Sequence, residues 1–202
     1  MKIAVYGATG MIGSRVVAEA LTRGHAVTGI TRSAAALPEG VHPVQGDAGD
    51  AELAKRVAAE ADVVVSAIGP SRTGGDRREF LAQVRTLAET LGGARLLVVG
   101  GAGSLLVGDH RLVDDPEFPD LYKAEALIGA ESLDYIRGLG ESADWTYFSP
   151  APLIQPGTRT GEYKTATDSP AGDAISAEDY AVAMLDEIEK PAFRRQRFTA
   201  AN

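Results

Sequence analysis

Three glycines near the start of the chain, Gly7, Gly10 and Gly13, stand at the spacing G-x-x-G-x-x-G directly after the apolar run Lys2–Tyr6. That spacing suits one kind of chemistry, the holding of a phosphate by backbone amides. A strand delivers the chain to a tight turn, which glycine makes with no Cβ in the way. The amides at the head of the following helix then face a pyrophosphate, whose charge the helix N-terminus favours. Thr9, Met11 and Ile12 lie in the same turn, and Gly13 lets the helix lie close against the sheet. A glycine pattern placed after a buried strand and at the head of a helix is a strong signal for dinucleotide binding.

Other residues extend the site. Arg32 ends the second strand at Thr31-Arg32-Ser33, where NAD-binding units usually carry an acid for the ribose hydroxyls. A guanidinium pairs with a 2′-phosphate that an acid would repel. NADP(H) is therefore the preferred cofactor, with NAD(H) as the other option. Asp47 follows the third strand and can accept a hydrogen bond from the adenine amino group. Ala67, Ile68 and Gly69 end the fourth strand, where a cofactor passes close to the backbone. Ser104, after the fifth strand, and the Pro150–Pro152 bend, after the sixth, are the expected neighbours of the reacting ring.

Alternating strands and helices position these groups. The first helix carries Ile12, Val16, Val17, Ala20 and Leu21 on one face and stops at Gly24, before a second strand over His25–Thr31. His25 reads as structural or solvated. Val41–Gly46 is a third strand, Asp50 caps the next helix, and Asp62–Ile68 is a fully buried fourth strand. After the polar loop Ser71–Asp76 comes a helix burying Phe80, Val84, Leu87, Ala88 and Leu91, then a strand over Ala94–Val99. Leu106–Pro119 is charged, holds two prolines and is too irregular to form an element. A helix over about Leu121–Leu139 and a strand over Asp144–Phe148 follow. Leu153–Ile175 reads as a lid-like excursion with short strands. Ser176-Ala-Glu-Asp179 starts a last helix with Tyr180, Met184 and Ile188 facing in, and Gln196–Ala200 is the last strand. Arg194, Arg195 and Arg197 beside it read as a solvated edge. The fold class is therefore α/β, a doubly wound parallel sheet of the Rossmann type, as one domain over residues 1–202 with a small C-terminal excursion.

Composition narrows the function. A hydrophobic share of 45% and a charged share of 24% over 202 residues are ordinary for a globular protein. The net charge of −8 argues against nucleic acid as a partner. Cysteine is absent, which removes disulfides, thiol catalysis and thiolate metal sites. The N-terminal apolar run is too short for a signal peptide, and no stretch reaches the ~20 residues of a bilayer span. A cytoplasmic protein without a membrane partner is expected.

The chain resembles the atypical short-chain dehydrogenase/reductases, in the NAD(P)H-binding group that includes NADH-flavin reductases. The residues that carry the resemblance are Gly7–Gly13, Thr31-Arg32, Gly46-Asp47, Val98–Leu105, Asp144–Pro150, Thr160–Tyr163 and Ile175–Ala181, which span nearly the whole chain. Alcohol-oxidising members of that superfamily use a Tyr-x-x-x-Lys pair, in which the ammonium lowers the phenol's pKa from one helical turn away. None of the five lysines has a tyrosine four residues before it, and Tyr122, the nearest candidate, is followed by Ala126. No G-x-S-x-G elbow, phosphate-binding G-x-x-x-x-G-K-[ST] loop or metal-spaced histidine pair is present, and His42 and His110 stand alone.

Hydride transfer to an electron-poor acceptor survives this elimination, because solvent can supply the proton. The resemblance to biliverdin reductase B-type flavin reductases implies the same task, with Ser104 matching their serine. Their histidine after the proline pair has no match at Pro150–Leu153, which argues against tetrapyrrole reduction. The expectation is an NADPH-dependent reductase of a free flavin or quinone-like acceptor, with flavin as substrate and Ser104 and Tyr122 as candidate catalytic residues. The alternative is an NmrA-like redox sensor that binds NADP(H) without turnover and acts through a protein partner.

Overall fold

The computed structural model describes residues 1–71 and 75–202, so part of the expected Ser71–Asp76 loop lies outside the described residues. Strand β1 (Lys2–Tyr6) is buried from Ile3 onward and runs into the glycine turn and helix α1 (Met11–Thr22). Then come β2 (Ala26–Thr31), β3 (Val41–Gln45), α2 (Ala51–Glu60), β4 (Val63–Ser66), α3 (Arg78–Glu89) and β5 (Arg95–Val99). Two short strands, β6 (Leu106–Val107) and β7 (His110–Arg111), precede α4 (Asp120–Gly138) and β8 (Trp145–Pro150). The C-terminal part holds β9 (Leu153–Gln155), β10 (Lys164–Ala166), β11 (Ala174–Ser176), α5 (Ala177–Glu189) and β12 (Gln196–Ala201).

The main sheet has eight strands in the order β10-β12-β8-β5-β4-β1-β2-β3, parallel except where β10 pairs antiparallel to β12. From β1 the chain builds outward through β2 and β3 on one side and returns through β4 on the other. That reversal opens a crevice beyond the carboxyl ends of β1 and β4, where doubly wound sheets bind ligands. Each face of the sheet has its own core. Ile3, Val5, Val16, Phe148, Tyr180 and Phe198 pack with α1 and α5, while Tyr6, Val64, Val84, Leu96, Leu133 and Tyr147 pack with α2, α3 and α4. No helix among the described residues is long and apolar enough to cross a membrane.

Two expectations change. Leu106–Pro119 is not irregular: β6 and β7 form an antiparallel hairpin, followed by a single helical turn at Leu112–Asp114. Gly108, at φ +65°, makes the turn that the charged composition obscured. Arg197 is not part of a solvated edge. It is 3% exposed, because β10 covers β12 and Asp168 takes its guanidinium at 2.5 Å. Arg194 and Arg195 are exposed as expected.

The excursion between β8 and α5 is held down rather than left free. Glu19 pairs with both sides of the Arg159 guanidinium at 2.8 Å, and Glu178 accepts the Gly157 amide at 2.7 Å. Buried Asp179 accepts the amides of Thr160 and Gly161 at 2.8 Å, the Thr160 hydroxyl at 2.7 Å and the Asn202 amide at 2.8 Å. Ser176 caps α5 by accepting the Asp179 amide at 2.9 Å, but the Asp179 carboxylate faces the excursion instead of completing a capping box.

Candidate functional site

The turn after β1 is built by contact between backbones. Gly7 has φ +76°, and a Cβ there would sit 2.5 Å from the Ala67 carbonyl oxygen, at the end of β4. A Cβ on Gly13 would strike the Gly7 carbonyl, so this glycine lets α1 close on its own turn as well as on Ala67. Gly10 donates to the Gly7 carbonyl at 2.9 Å and occupies the N-cap of α1 in extended conformation.

No side chain caps α1, and no acid stands in its first turn. Asp50 caps α2 by accepting the amides of Glu52 and Leu53 at 3.0 Å and Ser176 caps α5, while α3 and α4 have no side-chain cap but carry Glu79 and Asp120 in their first turns. The amides of a first helical turn require an acceptor from outside the helix. At α1 the chain supplies none from a side chain, and the helix opens at the sheet's switch point with Thr9, Gly10 and Met11 exposed. These residues fit a pyrophosphate, which would supply both charge and acceptors.

The remaining expected cofactor residues lie along the ends of neighbouring strands. Arg32 follows β2 and is exposed, and the Gln45 amide donates to its carbonyl at 3.3 Å. Asp47 follows β3 and is half-buried; its Oδ1 accepts the Gly49 amide at 2.7 Å and the Gln83 side chain at 3.1 Å. Ile12 is half-buried against the core that α1 shares with α5. Ala67 and Ile68 are half-buried beyond β4, Gly69 is exposed, and Pro150 is buried at the end of β8, level with Ala200. Gln83 escaped notice in the sequence, because a glutamine on a helix carries no signal until the fold brings it to Asp47.

The two expected catalytic residues have different surroundings. Ser104 is 7% exposed and lies in a single helical turn after β5. The Arg197 guanidinium donates to its carbonyl at 3.1 Å and approaches its hydroxyl at 3.4 Å. A cavity of about 260 Å³ beside it is lined by Leu106, Arg111, Leu133, Asp168 and Arg197 among others, and by no residue of the glycine turn. Tyr122 is exposed in the first turn of α4. His110 lies between Asp109 at 3.3 Å and Asp115 at 3.4 Å.

The buried tyrosines are held away from ionisation. Burial pushes the Tyr147 phenol up to about 12, and its hydroxyl donates to the Gly129 carbonyl at 2.9 Å beside Ser132. Burial also pushes Tyr6 up to about 12 and raises Tyr163 and Tyr180. The chain beyond β5 is Gly100-Gly101, and a Cβ on Gly100 would strike the Tyr147 ring. The first turn of α1 and the strand ends beside it thus set the glycine turn, Arg32, Asp47 and Gly69 around one crevice.

Known proteins are similar to this one over the whole chain. YwnB of Bacillus subtilis, an uncharacterized protein, is 39% identical over 215 residues, covering 100% of this chain and 99% of its own. The crystal structure of a Burkholderia pseudomallei protein described as exported is 42% identical, with a TM-score of 0.88 and 100% of both chains covered. That of SP1627 from Streptococcus pneumoniae, described as a candidate NADH-flavin reductase, is 34% identical, with a TM-score of 0.89 over 100% of this chain and 99% of that one. A family model described as NAD(P)H-binding matches residues 7–191. With a match of that length over a Rossmann-type sheet and its glycine turn, the chain belongs to the NAD(P)H-binding family.

Proposed function

We propose that this protein is an NADPH-dependent reductase that passes a hydride to a free flavin or quinone-like acceptor. The observation that carries the reading is the glycine turn at the sheet's switch point, which opens into an α1 with no side-chain cap and no acid in its first turn. The flavin reductase description of the Streptococcus pneumoniae relative supports it.

In this reading the amides of Met11, Ile12 and Gly13 at the head of α1 hold the pyrophosphate, Gly7 and Gly13 keep the turn tight, Gly10 leaves the approach open, and Thr9 borders it. Arg32 pairs with the 2′-phosphate and Asp47 accepts the adenine amine. Ala67, Ile68, Gly69 and Pro150 line the path toward the reacting ring. Reduced nicotinamide supplies the hydride when bound, and the protein's part is to align the two rings and exclude water. The acceptor gains the hydride and a proton from water, so no side chain has to ionise. Ser104 and Tyr122 are then dispensable for the proton. Ser104→Ala and Tyr122→Phe are expected to keep turnover within about fivefold of the parent, well short of the 10²–10⁴-fold that a general acid contributes. Steady-state oxidation of NADPH with FMN checks this, and a hundredfold loss in either variant would assign that residue the proton.

A further inference from the structure

The Asp47 carboxylate is not a free surface acid. Gln83, on the second turn of α3, donates its amide to Oδ1 at 3.1 Å and to Oδ2 at 3.3 Å. The Gly49 amide takes Oδ1 at 2.7 Å from the other side. A carboxylate only accepts, so the Gln83 NH₂ must be the end that faces it. Oδ1 thus carries two donors. Oδ2 carries only the longer branch of the Gln83 contact and keeps most of its accepting capacity.

We propose that Gln83 is a positioning residue for base recognition. It fixes the rotation of the Asp47 carboxylate so that Oδ2 points its free lone pairs at the exocyclic amine of adenine. The Gly49 amide alone would leave the carboxylate able to turn about its terminal torsion, which is broad for aspartate. Two anchors, one from the loop and one from α3, remove that freedom. The resulting site reads chemistry as well as shape. Adenine offers an N6 amine that donates to Oδ2. Hypoxanthine offers a carbonyl at the same place, and a carboxylate repels it.

The inference rests on the reading of Asp47 toward adenine and not on the identity of the acceptor, so its test is a binding measurement. Calorimetric titration of the full chain compares NADPH, its hypoxanthine analogue and reduced nicotinamide mononucleotide, which has no adenine. The parent is expected to bind NADPH about tenfold or more tighter than the hypoxanthine analogue, the loss of one hydrogen bond to a charged group. Gln83→Leu is expected to shrink that ratio at least about threefold by releasing the carboxylate. Its mononucleotide affinity and melting temperature are expected to match the parent. An unchanged ratio in Gln83→Leu, or equal weakening of all three ligands, would overturn the proposal, as would a parent that does not distinguish the two bases. Discrimination without turnover on any acceptor would instead refute the reductase reading and leave this one standing.

Discussion

At the scale of single residues, the proposed cofactor site can be tested one group at a time. Arg32 stands exposed where β2 ends. Arg32→Ala is expected to weaken NADPH by ~1.5–3 kcal/mol, the worth of a charged hydrogen bond, and to change NADH little. Titration with both cofactors reads the difference, and an equal loss for both would show that Arg32 does not touch the phosphate. Gly10→Val is expected to abolish binding of both cofactors by filling the approach to the amides of α1. Retained affinity would show that the anion lies elsewhere.

The glycine turn was legible because the spacing of Gly7, Gly10 and Gly13 states a backbone requirement directly. Gln83 and Arg197 were not. Their roles depend on what the fold sets opposite them, Asp47 in one case and Asp168 in the other. The buried pair of Arg95 and Glu187 escaped for the same reason, since charged residue types read as surface until a partner is known.

At the scale of elements, the carboxyl-end strands and their helices followed from hydrophobic period and glycine punctuation, with bounds shifted by a residue or two. The hairpin of β6 and β7 did not, since two-residue strands are too short to show a period. The excursion between β8 and α5 was legible as an excursion, but its fixing was not, because Asp179 reads as a helix-capping residue. Asp179→Ala would leave the amides of Thr160 and Gly161 and the Asn202 side chain without their acceptor. A cost of about 3 kcal/mol, or roughly 6–12 °C in melting temperature for a chain of this size, is expected. A calorimetric melt checks it, and a change under 2 °C would mean that solvent replaces the contact.

The same contacts set a pH dependence. Arg159, the strongest influence on Glu19, holds that carboxyl below its usual range despite partial burial. Burial pushes Glu178 and Asp179 up, but the hydrogen bonds from Arg15 and Gly157, and from Thr160, Gly161 and Asn202, outweigh it and leave both lowered. Carboxyls lowered on folding stabilise the protein above their unfolded pKa of about 4 and lose that contribution as pH falls through the lowered values. Melting temperature is expected to hold from pH 8 to about 5 and to fall below about 4. Asp179→Ala is expected to flatten that fall. An acid limb identical in parent and variant would remove Asp179 from the account.

At the scale of the whole molecule, a parallel sheet brings separate strand ends to one crevice, and the helix that opens there is left without a side-chain cap. In the proposed reading a dinucleotide lies across that crevice. What the fold presents beside that place is glycine, apolar surface and tyrosines raised by burial, which suits a reaction whose proton comes from water. The most direct test is the rate of NADPH oxidation by the purified protein with and without FMN, FAD and a panel of quinones. An acceptor-dependent rate well above the protein-free reaction, and faster with NADPH than with NADH, is expected. No rate above the protein-free background for any acceptor would contradict it.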